Sequence, residues 1–380
     1  MLVTIVPLQA YKLLGDKHAV VVLYFLVSAT GLTGSMLVPW LVQKIRHHGT
    51  LILGSSCMIA AALMLSQHSL RLLVPGLAIQ LYGSATIIIC LNVYVLKVVP
   101  RQEFTRFEPL RIVCSGAAWV IGPYLGVRLE NHVAEWLPYV AAAGVSFIQL
   151  SFFLFLRRHE PQGSADEIVR RANPARFIRR YFRQPRLVLA WLLSVTRAGW
   201  WDLFYKFGPV FLVANGLSEE TAGIVASIGS ACMLTVIFWG WVWRRIGIRN
   251  LVTAAYVLAG FLTLLVAGTS DFPLVGAYLL IGAAVATSII DSSGNVPFLY
   301  AVRPRERAEM TSFYATYRDM ARMTFPGVYT LLLAVFPFPV IFLAGGGIMI
   351  TLSRCARKLP RGLGLERDKR RSLTRASFSE

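Results

Sequence analysis

Apolar residues in this chain fall in long unbroken runs. They do not alternate as in a half-buried strand, nor form the one-sided stripe of a soluble helix. A bilayer core takes about 20 mostly apolar residues per helix. Runs of that kind cover 19–43, 49–67, 72–98, 110–128, 134–156, 187–213, 221–243, 250–268, 273–300, 311–333 and 337–354. Residues 1–14 form a further, shorter stretch. Met1 to Ala10 carries no basic residue and no clear cleavage site follows, so the stretch does not read as a secretory signal peptide. The pattern predicts an all-α, polytopic membrane protein with about 11 full spans.

The basic residues are sorted by side. Taking alternate loops from Lys44 and Arg46 onward, one set carries 28 Lys and Arg, while the opposite loops carry only Lys12, Lys17, Arg71 and Arg128. Cytoplasmic loops are enriched in Lys and Arg. The middle loop and the carboxyl-terminal tail are therefore expected on the cytoplasmic side, and the short loops suggest a bacterial inner membrane. Topology then explains the formal charge of +19, which in a soluble protein would suggest nucleic acid. Composition agrees: 56% of residues are hydrophobic and only 15% charged, with a mean hydropathy of +0.59. That excludes an ordinary soluble enzyme and a disordered chain. The five cysteines form no CxxC pair, the six histidines no HExxH, and no Walker motif occurs. No metal, cofactor or ATP-driven chemistry is implied.

The chain reads twice. Asn92-Val93 recurs as Asn295-Val296, Pro123 as Pro326, Pro7 as Pro209, and the basic run from Lys44 as the one from Arg245, all at offsets of 201–203 residues. This predicts two six-helix bundles related by a pseudo-twofold axis along the membrane normal, a known transporter plan. The expected domains are a helical half at 1–156, a basic cytoplasmic linker at 157–185, a second half at 186–354 and a basic tail at 355–380. Pro209 is preceded by 22 residues of its run and Pro7 by six residues in all. The first helix is thus expected to be partial, from a late-assigned start codon or a truncated product.

Pro39 to His48 is similar to the loop motif of the major facilitator superfamily, Gly-x-x-x-Asp-Arg-x-Gly-Arg-Arg, with Gln43 at the acid position and Lys44 and Arg46 keeping the positive charge. A second copy, Gly240 to Arg249, has Arg244 there, with Arg245 and Arg249 following. Gly122-Pro123-Tyr124-Leu125-Gly126 resembles the Gly-Pro motif of the proton-coupled exporters of that superfamily. The alternative for this motif is a packing kink, since glycines allow close approach and proline bends a helix. Gln80-Leu81-Tyr82-Gly83 lacks the arginine such exporters carry before a Gln-Gly pair. The resemblance implies a twelve-helix-type secondary transporter working as a monomer by alternating access.

Charges inside spans are candidates for function. In 187–213, Arg197 falls about 15 Å along the helix and Asp202 about 22 Å. Arg197, Trp200, Trp201, Asp202 and Tyr205, with Gln80, Asp291 and Asn295, are candidates for contacting substrate or carrying protons. Asp202 and Lys206 are spaced to pair along one helix. Glu108, Arg111, Arg318, Asp319, Lys44, Arg46, Arg245 and Arg249 are candidates for a cytoplasmic gate. Asp291 and Arg318 match in depth to within about 3 Å and are expected to pair. The function expected is secondary active transport of a small molecule, coupled to protons and directed outward as an antiporter. Its alternatives are uptake of an organic anion by symport and a non-transporting scaffold or sensor. Substrate, protons and membrane lipids are the expected partners, without nucleic acid.

Overall fold

The computed structural model describes residues 1–98, 104–159, 174–303 and 306–360, and among these the regular structure is helical throughout. The chain divides into two compact units, 1–170 and 171–380.

The first unit contains α1 (Leu2–Leu14), α2 (Lys17–Leu65), α3 (Leu70–Val98), α4 (Phe104–His132) and α5 (Leu137–His159). Gly15 ends α1 in the left-handed region, φ 67°, where glycine carries no Cβ penalty. Asp16 then caps α2, its carboxylate accepting the N–H groups of His18 and Ala19. Two spans with a loop at Lys44 and Arg46 were expected here, whereas the backbone stays helical through all 49 residues of α2. No glycine or proline interrupts Lys44 to His48, so nothing there forces the helix open. Yet α2 is not straight. A Cβ on Gly31 would lie 3.0 Å from Leu81, and one on Gly83 would lie 2.9 Å from the Gly54 carbonyl. Gly31 and Gly54 therefore pack at nearly one level of α3, although a straight helix would hold them about 35 Å apart. The helix folds back on itself between them.

Polar ties close the far end of α1. The Gln9 side-chain amide donates to the Leu65 carbonyl at 2.7 Å and accepts the Tyr139 hydroxyl at 2.8 Å, all buried. Lys12 pairs with buried Glu130 at 3.3 Å. Gly122 and Gly126 of α4 are buried against α1, and an added Cβ would stand 2.6 Å from the Met1 nitrogen or 2.7 Å from Ile5.

The second unit begins with α6 (Pro174–Phe182), so part of the basic middle segment is helical. α7 (Pro185–Asp202), a π-turn (Leu203–Phe207) and α8 (Gly208–Ala214) form one interrupted helix. α9 (Glu219–Cys232), a 3-10 turn (Met233–Thr235) and α10 (Val236–Ile246) form another. α11 (Ile248–Val266) is continuous. α12 (Pro273–Ser292) and α13 (Val296–Ala301) are separated by a turn, as are α14 (Arg307–Tyr314) and α15 (Tyr317–Leu333). α16 (Val340–Ala356) is continuous. α11 and α16 touch backbone to backbone: a Cβ on Gly260 would lie 2.7 Å from the Gly346 carbonyl, and one on Gly346 2.6 Å from the Gly260 carbonyl.

Among the described residues six helical segments are long and apolar enough to cross a membrane: His48–Leu65, Leu70–Leu91, Leu137–Phe155, Glu219–Trp243, Ile248–Val266 and Pro273–Ala301. Large apolar side chains on them face outward: Ile237 is 81% exposed, and Ile148 and Tyr278 are each 67% exposed. A surface of that kind suits lipid and not water. The chain is an integral membrane protein.

The glycine crossing gives a stability prediction. Gly260→Val should lower the unfolding free energy of the detergent-solubilised protein by about 1–3 kcal/mol, because the added side chain meets backbone that cannot give way. Gly347→Ala, where a Cβ meets nothing within 4 Å, should leave thermal unfolding unchanged.

Candidate functional site

The second unit holds a buried polar network centred on an ion pair. Arg197 of α7 places Nε 3.2 Å from Asp291 Oδ1, with the two side chains only 11% and 19% exposed. The Trp201 indole N–H donates to the other carboxylate oxygen, Oδ2, at 2.8 Å. Both oxygens of Asp291 are thus engaged from α7, one turn apart. The Arg197 guanidinium also lies over the Tyr317 ring, 6.0 Å from its centre. A lone charge at this depth in an apolar medium is costly, and pairing with hydrogen bonds is the usual remedy.

The network extends along both flanks. Tyr205 stacks on Trp201 at 5.5 Å, and its hydroxyl lies 2.8 Å from Ser230 of α9. Ser230 donates its own proton to the Ala226 carbonyl, so it accepts from Tyr205. On the other side the Tyr314 hydroxyl lies 2.5 Å from Ser194 and donates to Asn295 at 3.3 Å. Thr235, in the 3-10 turn, lies 3.2 Å from Ser288 of α12.

Among the described residues, four interruptions of the unit's helices lie beside members of this network along the chain. The π-turn starts two residues after Trp201. The 3-10 turn starts three residues after Ser230. The break after α12 follows Asp291 by two residues and includes Gly294, which takes φ 48°. The break after α14 separates Tyr314 from Tyr317. Irregular backbone at membrane depth is tolerated only inside protein or along a polar cavity, and interrupted helices commonly carry transporter sites. π-turns are likewise concentrated at functional positions.

The sequence-derived candidates separate in three dimensions. Arg197, Trp201, Tyr205, Asp291 and Asn295 come together. Trp200 does not share their face: it is buried against α11, its indole donating to Thr263 at 2.8 Å. Asp202 pairs with Lys206 at 3.0 Å, the expected spacing along one helix. The expected Asp291–Arg318 pair is not formed. Arg318 is exposed, and its Nε donates to the Tyr317 hydroxyl while Arg197 takes the carboxylate. Depth along two helices fixes only one coordinate; the angle about each axis decides the partner. Asp319, beside Arg318, is half-buried at the start of α15. Gln80 is half-buried on α3 of the first unit. Lys44 is exposed, Arg249 is half-exposed, and Arg245 stacks on Trp241 at 3.9 Å. The side chains of Glu108, Arg111 and Arg46 lie outside the described residues. Tyr314 and Tyr317, polar residues of the same span as Arg318, join the network or lie beside it, and so do Ser194, Ser230 and Tyr256, whose single hydroxyls in apolar runs carry no sequence signal.

A separate clasp sits where the chain enters this unit. Glu306 accepts hydrogen bonds from Arg180 of α6 and from Gln184, the latter at 3.1 Å. Buried Tyr181 packs against Phe313 at 4.4 Å beside it. The Gln184 amide and the neighbouring Arg180 and Arg303 charges hold the Glu306 carboxyl below its ordinary value.

A family model for the Major Facilitator Superfamily matches residues 1–326. The chain belongs to that superfamily, and it is a transporter, not an enzyme. The nucleoside transporter NupG superimposes with a TM-score of 0.71 at 15% identity, covering 93% of both chains. A D-xylose-proton symporter gives 0.71 at 12% identity with 95% of each chain covered. A peptide transporter of the POT type gives 0.73 at 10% identity, covering 93% of this chain and 91% of that one. At these identities the likeness is one of fold. No curated protein matches the sequence.

Two outcomes are expected. Asp291→Leu should destabilise the protein by about 3–5 kcal/mol by stranding the buried Arg197, and Arg197→Met with Asp291→Leu should recover most of that loss, measured by denaturation in detergent. For Glu306, a depressed carboxyl contributes stability above its unfolded-state value, about 4.3, and loses it as pH falls through the folded value. Wild type should therefore lose thermal stability below about pH 4.3 faster than Glu306→Gln does.

Proposed function

We propose that this membrane transporter moves a small polar solute by proton-coupled alternating access, with Asp291 as the group that takes up and releases the proton. The observation that carries the proposal is the Arg197–Asp291 pair, buried where four helices lose regularity. Protonation of Asp291 removes its charge, which dissolves the ion pair with Arg197, weakens the hold on the Trp201 indole N–H and adds an O–H donor. The two states of the carboxylate therefore differ in which donors are available to a solute. Stacked Trp201 and Tyr205, with Tyr317 beneath Arg197, supply aromatic walls of the kind that hold small molecules. Asp202 is the weaker candidate, since its partner Lys206 is on its own helix and moves with it.

The internal sequence repeat supports a twelve-helix plan with two six-helix halves. Resemblance of Gly122-Pro123 to the exporter motif supports outward antiport in a bacterial inner membrane, with the carboxyl terminus cytoplasmic as the charge asymmetry requires. Arg197 favours a second reading, uptake of an organic anion by symport. In that case the freed guanidinium binds the anion once Asp291 is protonated.

Proteoliposomes with an internal pH-sensitive dye and a panel of solutes test the proposal. Wild type should couple solute flux to proton flux, whereas Asp291→Asn should lose accumulation against a gradient and keep solute exchange. Asp202→Asn should retain coupling. Undiminished proton-linked flux in Asp291→Asn would remove Asp291 from the mechanism. Opposed movement of solute and protons fits antiport, and movement in the same direction fits the symport reading.

A further inference from the structure

A groove of about 630 Å³ runs along α11, away from the ion-pair network, with Arg357 at the end of α16 contributing to its mouth. Arg249 and Asn250 stand in the first turn of α11, Thr253 one turn further, then Val257, Leu258 and Phe261. Those last three are 40%, 47% and 52% exposed, so the apolar wall faces outward. No carboxylate lines the groove, and neither guanidinium has an ion-pair partner among the described residues.

Thr253 makes the groove look unfilled. Its hydroxyl oxygen is buried and has no hydrogen-bond partner, whereas Thr196, Thr263 and Thr287 each donate to the carbonyl four residues back. The first turn of α11 is also open: Gly247 precedes it and no side chain caps it, which leaves backbone N–H groups beside Arg249. Two guanidiniums, an amide, a hydroxyl and free N–H groups thus gather at one end. From Arg249 to Phe261 the groove spans 12 residues, about 18 Å of helix. That matches the depth of one leaflet of a bilayer whose hydrocarbon core is about 30 Å thick.

We propose that this groove binds an anionic phospholipid, its phosphate between Arg249 and Arg357 and one acyl chain along Val257, Leu258 and Phe261. The apolar wall selects a lipid over a free phosphate ester, and the paired guanidiniums select an anionic headgroup over a zwitterionic one. Thr253 and Asn250 meet the ester and glycerol oxygens. The site lies on the side of the membrane where the basic loops gather.

Native mass spectrometry of the full, delipidated chain in detergent tests this by titration with phosphatidylglycerol, phosphatidylcholine of the same chains, and glycerol 3-phosphate. One phosphatidylglycerol should bind per chain, at least about tenfold more tightly than phosphatidylcholine, and glycerol 3-phosphate should not compete. Arg249→Gln with Arg357→Gln should weaken phosphatidylglycerol about thirtyfold, the loss expected for two basic residues facing an anionic headgroup. Arg249→Lys with Arg357→Lys, which keeps the charge, should retain most of the binding. Arg183→Gln with Arg186→Gln, exposed arginines outside the groove, should leave it unchanged. Equal affinity for the two lipids, undiminished binding in the glutamine pair, or equal binding of glycerol 3-phosphate would each overturn the proposal.

Discussion

A charge in hydrocarbon has to be answered, and the second unit is organised around the answer that Arg197 and Asp291 give each other. Neither residue could stand alone at that depth. Once they pair, the carboxylate has a further oxygen to satisfy, and Trp201 satisfies it. Trp201 carries Tyr205 by stacking, and Tyr205 reaches α9 through Ser230. One electrostatic requirement thus fixes the rotation of α7 against α9 and α12. The interruptions after Asp291, after α7, before α10 and between Tyr314 and Tyr317 collect around the same point. Regular helices would satisfy their own backbone and leave little for a passing solute.

Much of the architecture was legible in the amino-acid pattern, for a simple reason. Lipid penalises every exposed polar group, so the apolar runs that mark membrane helices are under direct physical constraint. Pairing along one helix was legible too, because Asp202 and Lys206 are four residues apart and need no knowledge of any neighbour. The partner of Asp291 was not. Arg197 and Arg318 are both compatible with its depth, and only the angular positions of three helices separate them. The 3-10 turn left no trace, since no proline or glycine marks Met233–Thr235, whereas Gly208-Pro209 directly follow the π-turn and the proline removes the bond to the Tyr205 carbonyl. Gly294 could have been flagged, as a glycine beside an intramembrane acid, but its backbone angle is set by the turn it completes.

The fold-back of α2 shows a related limit. Basic residues between two apolar runs suggest a loop, yet Lys44 to His48 stays helical although the chain reverses between Gly31 and Gly54. A change of direction needs a bend, and a bend can be spread over several residues without losing hydrogen bonds. Charge alone does not distinguish a loop from a bent helix. In the same way the glycines at 122 and 126 signalled close approach, and close approach to α1 is what they provide.

The contact of Gly260 with Gly346 joins α11 and α16 with almost no side-chain layer between them. A joint of that kind leaves little room to slide or twist. The two helices are also the continuous ones, whereas those around Asp291 are segmented. The unit is therefore mechanically graded, with a stiff spar on one side and jointed rods on the other. A force applied to the carboxylate will be absorbed at the joints, while the spar transmits it whole.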